Sequence, residues 1–363
     1  MNLGIFVHRG GSLENWRTVG QDKRFVDLYL KRYAREFDKV YVFSYADANE
    51  KRDDLPKNVI IVPNRYRMPF SVYSFLMPVI HRKLIRKCDV FRVFHISGTP
   101  SAVISKYLFR KPYITTYAYL WLHDIRFHKK YLEFFVAKPV EWIGLKKADR
   151  IIITLDKTKE YVMRFVKPEK IAYIPNGVDT TVFRKLPLKK HGKRVISMGR
   201  FVKIKNYDNL IKAVAKIAGA ELVLYGDGPE AGNLKKLAKK EGCKLTLGGM
   251  IPNEKLPQEI NRADVFVLPS HSEGMPKALL EAMACEIPCI VSDLPTLQEV
   301  VKDGRNGFVC ERSPESIMER IEYVFNNRNE AERVAIAGRK LVLEKFSIDK
   351  LVGEEIKLLK ELG

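Results

Sequence analysis

Short apolar runs, each followed by a helical pattern, recur along the whole sequence, and this alternation constrains the fold more than any other feature. In the first half the runs fall at 2–8, 39–45, 58–63, 89–97, 112–118, 150–155 and 171–174. In the second half they fall at 195–200, 221–225, 244–247, 264–268, 289–292 and 307–310. Runs such as NVIIVP and RIIITL are apolar on both faces, which suits strands of a parallel sheet covered on both sides. Parallel neighbours need a crossover, usually a helix. Helical patterns fill 20–36, 72–87, 100–109, 130–148 and 156–166. They return at 206–218, 229–241, 254–262, 276–285, 295–302, 314–327 and 330–344, with a closing helix at 348–361. The polar, basic stretch 184–194 (RKLPLKKHGKR) reads as a linker between the two sets. At 363 residues, two α/β domains with separate cores are expected.

Charge narrows the partners. The net charge is +21, and residues 1–180 hold 33 Lys and Arg against 18 Asp and Glu, while the remainder holds 31 against 25. A basic first half suits phosphorylated substrates, an anionic membrane surface or nucleic acid. No compact nucleic-acid motif accompanies the charge, so that partner is set aside. No apolar run reaches membrane-spanning length, and the opening NLGIFVH reads as a buried strand rather than a signal peptide. The five cysteines show no zinc-type spacing, which leads us to expect a reducing cytoplasm.

The densest chemistry lies in residues 268–284, LPSHSEGMPKALLEAMA. An apolar run ends in the loop Pro269 to Met275, and Pro276 opens a run of strong helix formers. Glu273 falls in the loop and Glu281 in the second helical turn, so both can face one spot above the helix N-terminus. The free N–H groups and positive dipole end there suit a phosphate, and the carboxylates suit sugar hydroxyls. In the loop after 195–200, Arg200 and Lys205 flank a strand-to-helix turn where they can clamp a diphosphate. Gly226-Asp227-Gly228-Pro229 is a tight turn, and Gly248-Gly249 can pass close to a nucleobase.

The first half is less specific. His8-Arg9-Gly10-Gly11-Ser12 ends the first strand with small residues that let backbone approach a ligand, but it is not a dinucleotide fingerprint. Residues 115–128, TTYAYLWLHDIRFH, follow a strand and concentrate aromatics with His123, Asp124 and His128. Residues 65–87 mix basic and aromatic residues. The preferred reading there is a helix packing one apolar face on the sheet and solvating its Lys/Arg face; the alternative is a membrane-surface patch. No glycosidase-like carboxylate pair, GxSxG or metal cluster occurs, and Asp53-Asp54 lacks DxD spacing.

Taken in order, HRGG (8–11), IPNGVD (174–179), GRFVKIKN (199–206), GDGP (226–229), SEGMPKALLEAMA (272–284) and NGFV (306–309) resemble the retaining family 4 glycosyltransferases of the GT-B fold, the glycosyl transferases group 1. The likeness covers essentially the whole chain and is strongest over 195–310. It implies two Rossmann-like domains with parallel sheets facing across a cleft. Residues 1–180 would bind the acceptor, with the final helix 346–363 packing back on them, and 190–345 would bind a nucleotide-sugar donor. It implies that Arg200 and Lys205 hold the donor diphosphate, Glu281 the ribose and Glu273 the hexose hydroxyls. The backbone of Gly274, Met275, Pro276, Lys277, Ala278 and Leu279 would meet hexose and phosphate oxygens, and Gly10 and Gly11 would approach the diphosphate. The implied reaction transfers a hexose with retention to a glycan or lipid-linked acceptor, with no cofactor and no metal. The charge, the cysteines and the 65–87 patch, rather than the resemblance, give the expected location: cytoplasmic, with peripheral contact at an anionic inner membrane face as the alternative. Two alternatives stay open: a sugar phosphorylase or sugar-phosphate synthase, and an inactive nucleotide-sugar-binding subunit.

Three departures qualify the resemblance. Relatives often carry a His directly after the fifth strand, where this chain has Ala118, and His123 is the candidate substitute. Glu286 stands where Gly is usual, and Asp293-Leu294-Pro295-Thr296 replaces a glycine-rich turn.

Overall fold

The computed structural model describes residues 1–17, 22–46, 53–127, 131–190 and 192–363. The chain forms two compact units, Met1–Pro175 with Asp349–Gly363, and Asn176–Ile348.

The first unit holds strands β1 (Asn2–Phe6), β2 (Lys39–Phe43), β3 (Val59–Val62), β4 (Val90–Val93), β5 (Tyr113–Tyr117), β6 (Arg150–Ile153) and β7 (Ile171–Tyr173). They form one sheet in the order β3-β2-β1-β4-β5-β6-β7, parallel throughout. Leu3 pairs with Val40 on one side and Val90 on the other. Successive residues of β1 and β4 are buried on both faces, as strands of a covered parallel sheet are; Arg92 on β4 is the one charged residue among them.

The second unit repeats the plan with β8 (Arg194–Met198), β9 (Glu221–Tyr225), β10 (Leu245–Gly249), β11 (Val265–Leu268), β12 (Cys289–Ser292) and β13 (Phe308–Cys310). The order is β10-β9-β8-β11-β12-β13, again parallel. Its core runs through Val195, Leu222, Val265, Ile290 and Phe308 to Ile317 and Val334 of the flanking helices. In each sheet the chain reverses direction beside the first strand, between β1 and β4 and between β8 and β11. Ligands of open α/β sheets bind beyond the strand carboxyl ends at such points.

Among the described residues thirteen strands fall where the apolar runs place them, most with shorter ends, while β8 starts a residue earlier and β10 runs on to Gly249. The run 89–97 stops at Val93 because His95 turns the chain: its ring accepts a hydrogen bond from the Ser97 N–H at 3.2 Å and opens the 3₁₀ turn Ile96–Gly98. The helices differ more. The expected 72–87 helix breaks at His81 into Phe70–Ile80 and Arg82–Ile85. Two short helices arise where loops are expected, Leu13–Arg17 and Trp121–Phe127.

The closing helix, Ile348–Leu362, is held in the first unit by a buried ion pair. Arg92 on β4 donates to both carboxylate oxygens of Glu355, at 2.5 and 3.0 Å, with both side chains no more than 4 % exposed. Arg92 also donates to Thr116 and to the Val93 carbonyl, and the Tyr33 hydroxyl donates to Glu355, so every charged oxygen and most N–H groups are satisfied. No helix among the described residues is long and apolar enough to cross a membrane. All five cysteines are unpaired.

Candidate active site

The topology directs attention to the loops after β8 and β11, which flank the switch point of the second sheet. The loop after β8 is packed against the loop after β9. A Cβ on Gly226 would stand 2.0 Å from the Gly199 carbonyl oxygen, so only glycine permits this approach. Gly199 N–H donates to Tyr225 O, Phe201 N–H to Asp227 O and Gly226 N–H to Gly249 O, each at 2.8–2.9 Å. Three strand-end loops are thereby laced into one floor. Arg200 projects from it, exposed and without a side-chain partner among the described residues.

Lys205 and Asn206 close the same loop. Asn206 adopts the left-handed region (φ 56°), which asparagine tolerates better than most residues. This conformation aims its buried side-chain amide at the carbonyls of Pro269 and Arg312, each at 3.0 Å. Four more bonds fix the loop after β11. His271 N–H donates to Ile204 O at 2.8 Å. Ser292 donates to Ser270 O at 2.7 Å, Thr296 to Glu273 O at 3.0 Å and Asn176 to Met275 O at 3.2 Å. The tethers take up carbonyl oxygens and so hold the loop in a single course.

On this platform sits the charge pair of the site. Lys205 Nζ donates to Glu273 Oε1 at 2.6 Å, and Ser270 Oγ donates to the same oxygen at 2.6 Å. The two side chains are 19 % and 10 % exposed. They sit at the border of the floor, with one face open to a ligand.

The next element is the helix Lys277–Ala284. Pro276 occupies its N-cap position in an extended conformation, one residue earlier than the sequence pattern suggests, and no side chain caps the turn. An uncapped first turn leaves backbone N–H groups and the positive dipole end for an anion. Gly274 is exposed, Lys277 and Ala278 are half-buried, and Met275, Pro276 and Leu279 are buried. Glu281 lies one turn inside and is 3 % exposed. The helix ends at Ala284, and just past its cap Glu286 has a φ of +60°, which explains why glycine suits that place; here Lys185 Nζ pairs with the carboxylate at 2.6 Å.

The structure therefore brings Lys205, Glu273 and the Gly274 to Leu279 segment together, with Arg200 on the adjoining floor and Glu281 beneath. The remaining expected site residues belong to the first unit. Gly10 has φ +80° and lies against the Phe70 ring, and Gly11 N–H donates to His8 O at 2.8 Å, closing a tight turn after β1. His123 is exposed on the helix Trp121–Phe127 rather than on a loop. His128 lies outside the described residues.

Two imidazoles lie at the first sheet's switch point: His8, quoted above in HRGG but given no role, and His95, which the sequence pattern did not single out. His95 follows β4, its Nδ1 bonded to Ser97 Oγ at 2.9 Å and its Nε2 to the Tyr119 hydroxyl at 3.2 Å. Trp121 stands edge-on to the ring at 5.7 Å between centroids. Burial pushes the His95 pKa down to about 4, and the neighbouring His8 adds to the shift. Burial lowers His8 as well, beside Trp16. Among the described residues, no group of three or more His, Cys, Asp or Glu side chains gathers as metal ligands.

Of the residues that build this platform, Asn176, Asn206, Ser270 and Thr296 carried no expected role. Asn176 and Asn206 were visible as members of IPNGVD and GRFVKIKN, and an asparagine beside a turn is the signal that marks such a place without naming its partner.

Comparison with known proteins agrees with this geometry. Residues 178–341 match the family model described as Glycosyl transferases group 1, and residues 23–182 match Glycosyltransferase Family 4. An N-acetyl-alpha-D-glucosaminyl L-malate synthase of Bacillus anthracis is 28 % identical over 232 residues, covering 58 % of this chain and 59 % of the relative. A GDP-mannose-dependent alpha-(1-6)-phosphatidylinositol monomannoside mannosyltransferase of Mycobacterium tuberculosis is 30 % identical over 218 residues, covering 53 % and 57 %. The matches thus span less than two thirds of these relatives' length. Among solved structures, a sucrose-phosphate synthase from Thermosynechococcus elongatus superposes with a TM-score of 0.79 at 19 % identity, over 100 % of this chain and 99 % of that one. An Anabaena protein in complex with UDP and glucose superposes with a TM-score of 0.76 at 17 % identity, over 100 % of both chains. Two parallel Rossmann-like sheets in this order, the strings of the second unit and both family matches lead to one assignment: the chain belongs to the family 4 glycosyltransferases of the GT-B fold.

Proposed function

We propose that the protein transfers a hexose from a nucleotide-diphosphate sugar to an acceptor hydroxyl of a glycan or glycolipid, with retention at the anomeric carbon. The observation that carries the reading is the half-buried Lys205–Glu273 pair on a pinned loop, at the foot of an uncapped helix. A cation and a carboxylate side by side suit a sugar diphosphate, which offers anionic oxygens and hydroxyls to the same small area. Lys205 keeps two further N–H donors for phosphate oxygens while it holds Glu273 in place. Exposed Arg200 adds a planar fork that matches phosphate geometry. Charge leaving with the diphosphate is met by these two cations and the helix N-terminus, without a metal in the proposed step. Glu273 takes hexose hydroxyls, and Glu281, barely exposed, takes a ribose seated directly over the helix. The Anabaena neighbour, whose structures hold UDP, UDP and glucose, or UDP-glucose, supports a nucleotide-sugar donor here.

The test is a thermal-shift panel of nucleotide sugars, followed by product analysis with the donor that shifts most. A ligand that binds only the folded chain raises its stability by mass action, about 2.7 kcal/mol at a hundredfold excess over Kd. A shift with one nucleotide sugar, lost in Arg200→Ala, supports the reading. Turnover with free phosphate instead of a nucleotide donor would replace it with a phosphorylase. A shift without turnover on any acceptor would make the chain a binding subunit.

A further inference from the structure

The first unit carries a large apolar surface on a different set of elements. The helices Phe70–Ile80, Thr99–Phe109 and Tyr131–Lys147 pack side by side in the order first, second, third. The first of them is apolar all round, a pattern that ordinarily marks a helix buried on every side. Tyr73 and Met77 do turn inward, but Val72, Phe75, Leu76 and Val79 form an outward stripe, each 41–49 % exposed. The third helix exposes Phe135 by 73 % and Trp142 by 51 %, and the second exposes Tyr107 and Leu108 by 61 and 58 %. Phe75 and Val136 line one crevice of about 40 Å³, so the patches on the first and third helices are continuous.

The charge around this face has one sign. Segments 65–87, 99–111 and 131–147 hold six, three and three Lys or Arg, against only Glu133 and Glu141. Glu141 is buried and accepts from Tyr117 and Tyr161, and Glu133 faces Arg9 at 3.6 Å. Several cations lie over exposed rings: Lys146 over Trp142 at 4.8 Å and Lys147 over Tyr107 at 5.3 Å. The preferred sequence reading put Lys and Arg on the open face of residues 65–87. Instead the open face of Phe70–Ile80 is apolar, and the cations cluster beyond its end, at Arg82, Lys83, Arg86 and Lys87.

We propose that this three-helix face docks on an anionic lipid bilayer, with the apolar stripe among the acyl chains and the Lys and Arg side chains at headgroup level. A second copy of the chain is a poor occupant, because it would bring two cationic faces together. Rings and aliphatic chains framed by cations match a surface that is apolar within and anionic at its edge. Docking of this kind does not depend on which sugar is moved, or on whether any is.

Co-sedimentation of the full chain with vesicles tests it, comparing phosphatidylcholine alone with phosphatidylcholine containing phosphatidylglycerol. The anionic vesicles are expected to carry the protein down at low salt and release it at high salt. Each basic residue near the surface contributes about fivefold, so Arg82→Gln with Lys83→Gln should weaken binding about 25-fold. Phe75→Ser with Phe135→Ser should also weaken it; both sites are exposed, and an unchanged circular dichroism melt confirms folding. No binding at low salt overturns the proposal, as does equal binding to neutral vesicles or indifference to both double variants. A dimer in solution that the same variants dissolve overturns it in favour of a second copy.

Discussion

The two sheets present the same topological feature with opposite chemistry. Beside β8 and β11 the loops are polar and pinned: amide and hydroxyl side chains hold backbone carbonyls, and one Lys–Glu pair faces outward. Beside β1 and β4 the loops are aromatic and nearly uncharged, with His8 and His95 kept neutral among Trp16, Tyr119 and Trp121. The strands beneath reverse the contrast. β11 is wholly apolar, Val265 to Leu268, whereas β4 carries buried Arg92. The first unit uses its interior polarity to hold its last helix; the second sets polar side chains around the loops at its rim, with Arg194 on β8 paired to Glu221 and Glu259 as its own buried charge.

The largest expected effect tests that interior polarity. Glu355→Ala leaves the Arg92 guanidinium buried without its counter-charge, and breaking such a pair costs about 3–5 kcal/mol. Urea unfolding of the variant should show this loss, with Glu355→Gln falling between the two because it keeps a hydrogen-bond acceptor. The double variant Arg92→Met, Glu355→Leu should regain most of it, since well-packed apolar pairs often replace buried ion pairs at little cost. A loss under 1 kcal/mol for Glu355→Ala would mean the pair is solvated, and the contrast between β4 and β11 would vanish.

A second pair of variants sharpens the rim. Arg200→Ala and Lys205→Ala should each reduce kcat/KM by about 10²–10³, on the order of 3–4 kcal/mol of transition-state stabilisation, as for loss of one oxyanion donor. They should differ in stability. Arg200 is exposed, so its loss leaves the melting temperature unchanged. Lys205→Ala strands the half-buried Glu273 carboxylate and should cost about 1–2 kcal/mol. Identical melts with unequal kinetics, or near wild-type turnover in both, would remove Lys205 from the clamp.

The contrast also explains what could be read in advance. Both sheets were legible because runs such as Leu3 to Phe6 and Val265 to Leu268 are apolar on both faces, a local property. The Lys205, Glu273 and helix segment was legible because its members lie in two short strings after two strands. Nothing local announces which carbonyls Asn176 and Thr296 hold, since their partners, Met275 and Glu273, lie 99 and 23 residues away in sequence. His95 was hidden for a related reason: the apolar run 89–97 reads as strand to its end, and only the turn at Ile96–Gly98 lifts the ring to the sheet's edge. His123 drew notice by lying among aromatics, yet the helix Trp121–Phe127 leaves it exposed.

The smallest effect probes the first unit's rim directly. His95 has an ordinary pKa of 6.5 that burial takes to about 4, so between these values the unfolded chain binds the proton more readily than the folded one. Stability then rises with pH across this window and is lost as pH falls through it. A tenfold change in proton affinity corresponds to about 1.4 kcal/mol, and partial solvation of the ring should hold the total to about 2 kcal/mol. Unfolding measured from pH 7 down to about 4 should show this slope in the wild type, shallower in His95→Gln, which keeps a donor and an acceptor near Tyr119 but cannot take up the proton. If His95→Gln gives the wild-type curve, the aromatic rim is as wet as the surface, and the two switch points differ in sequence but not in polarity.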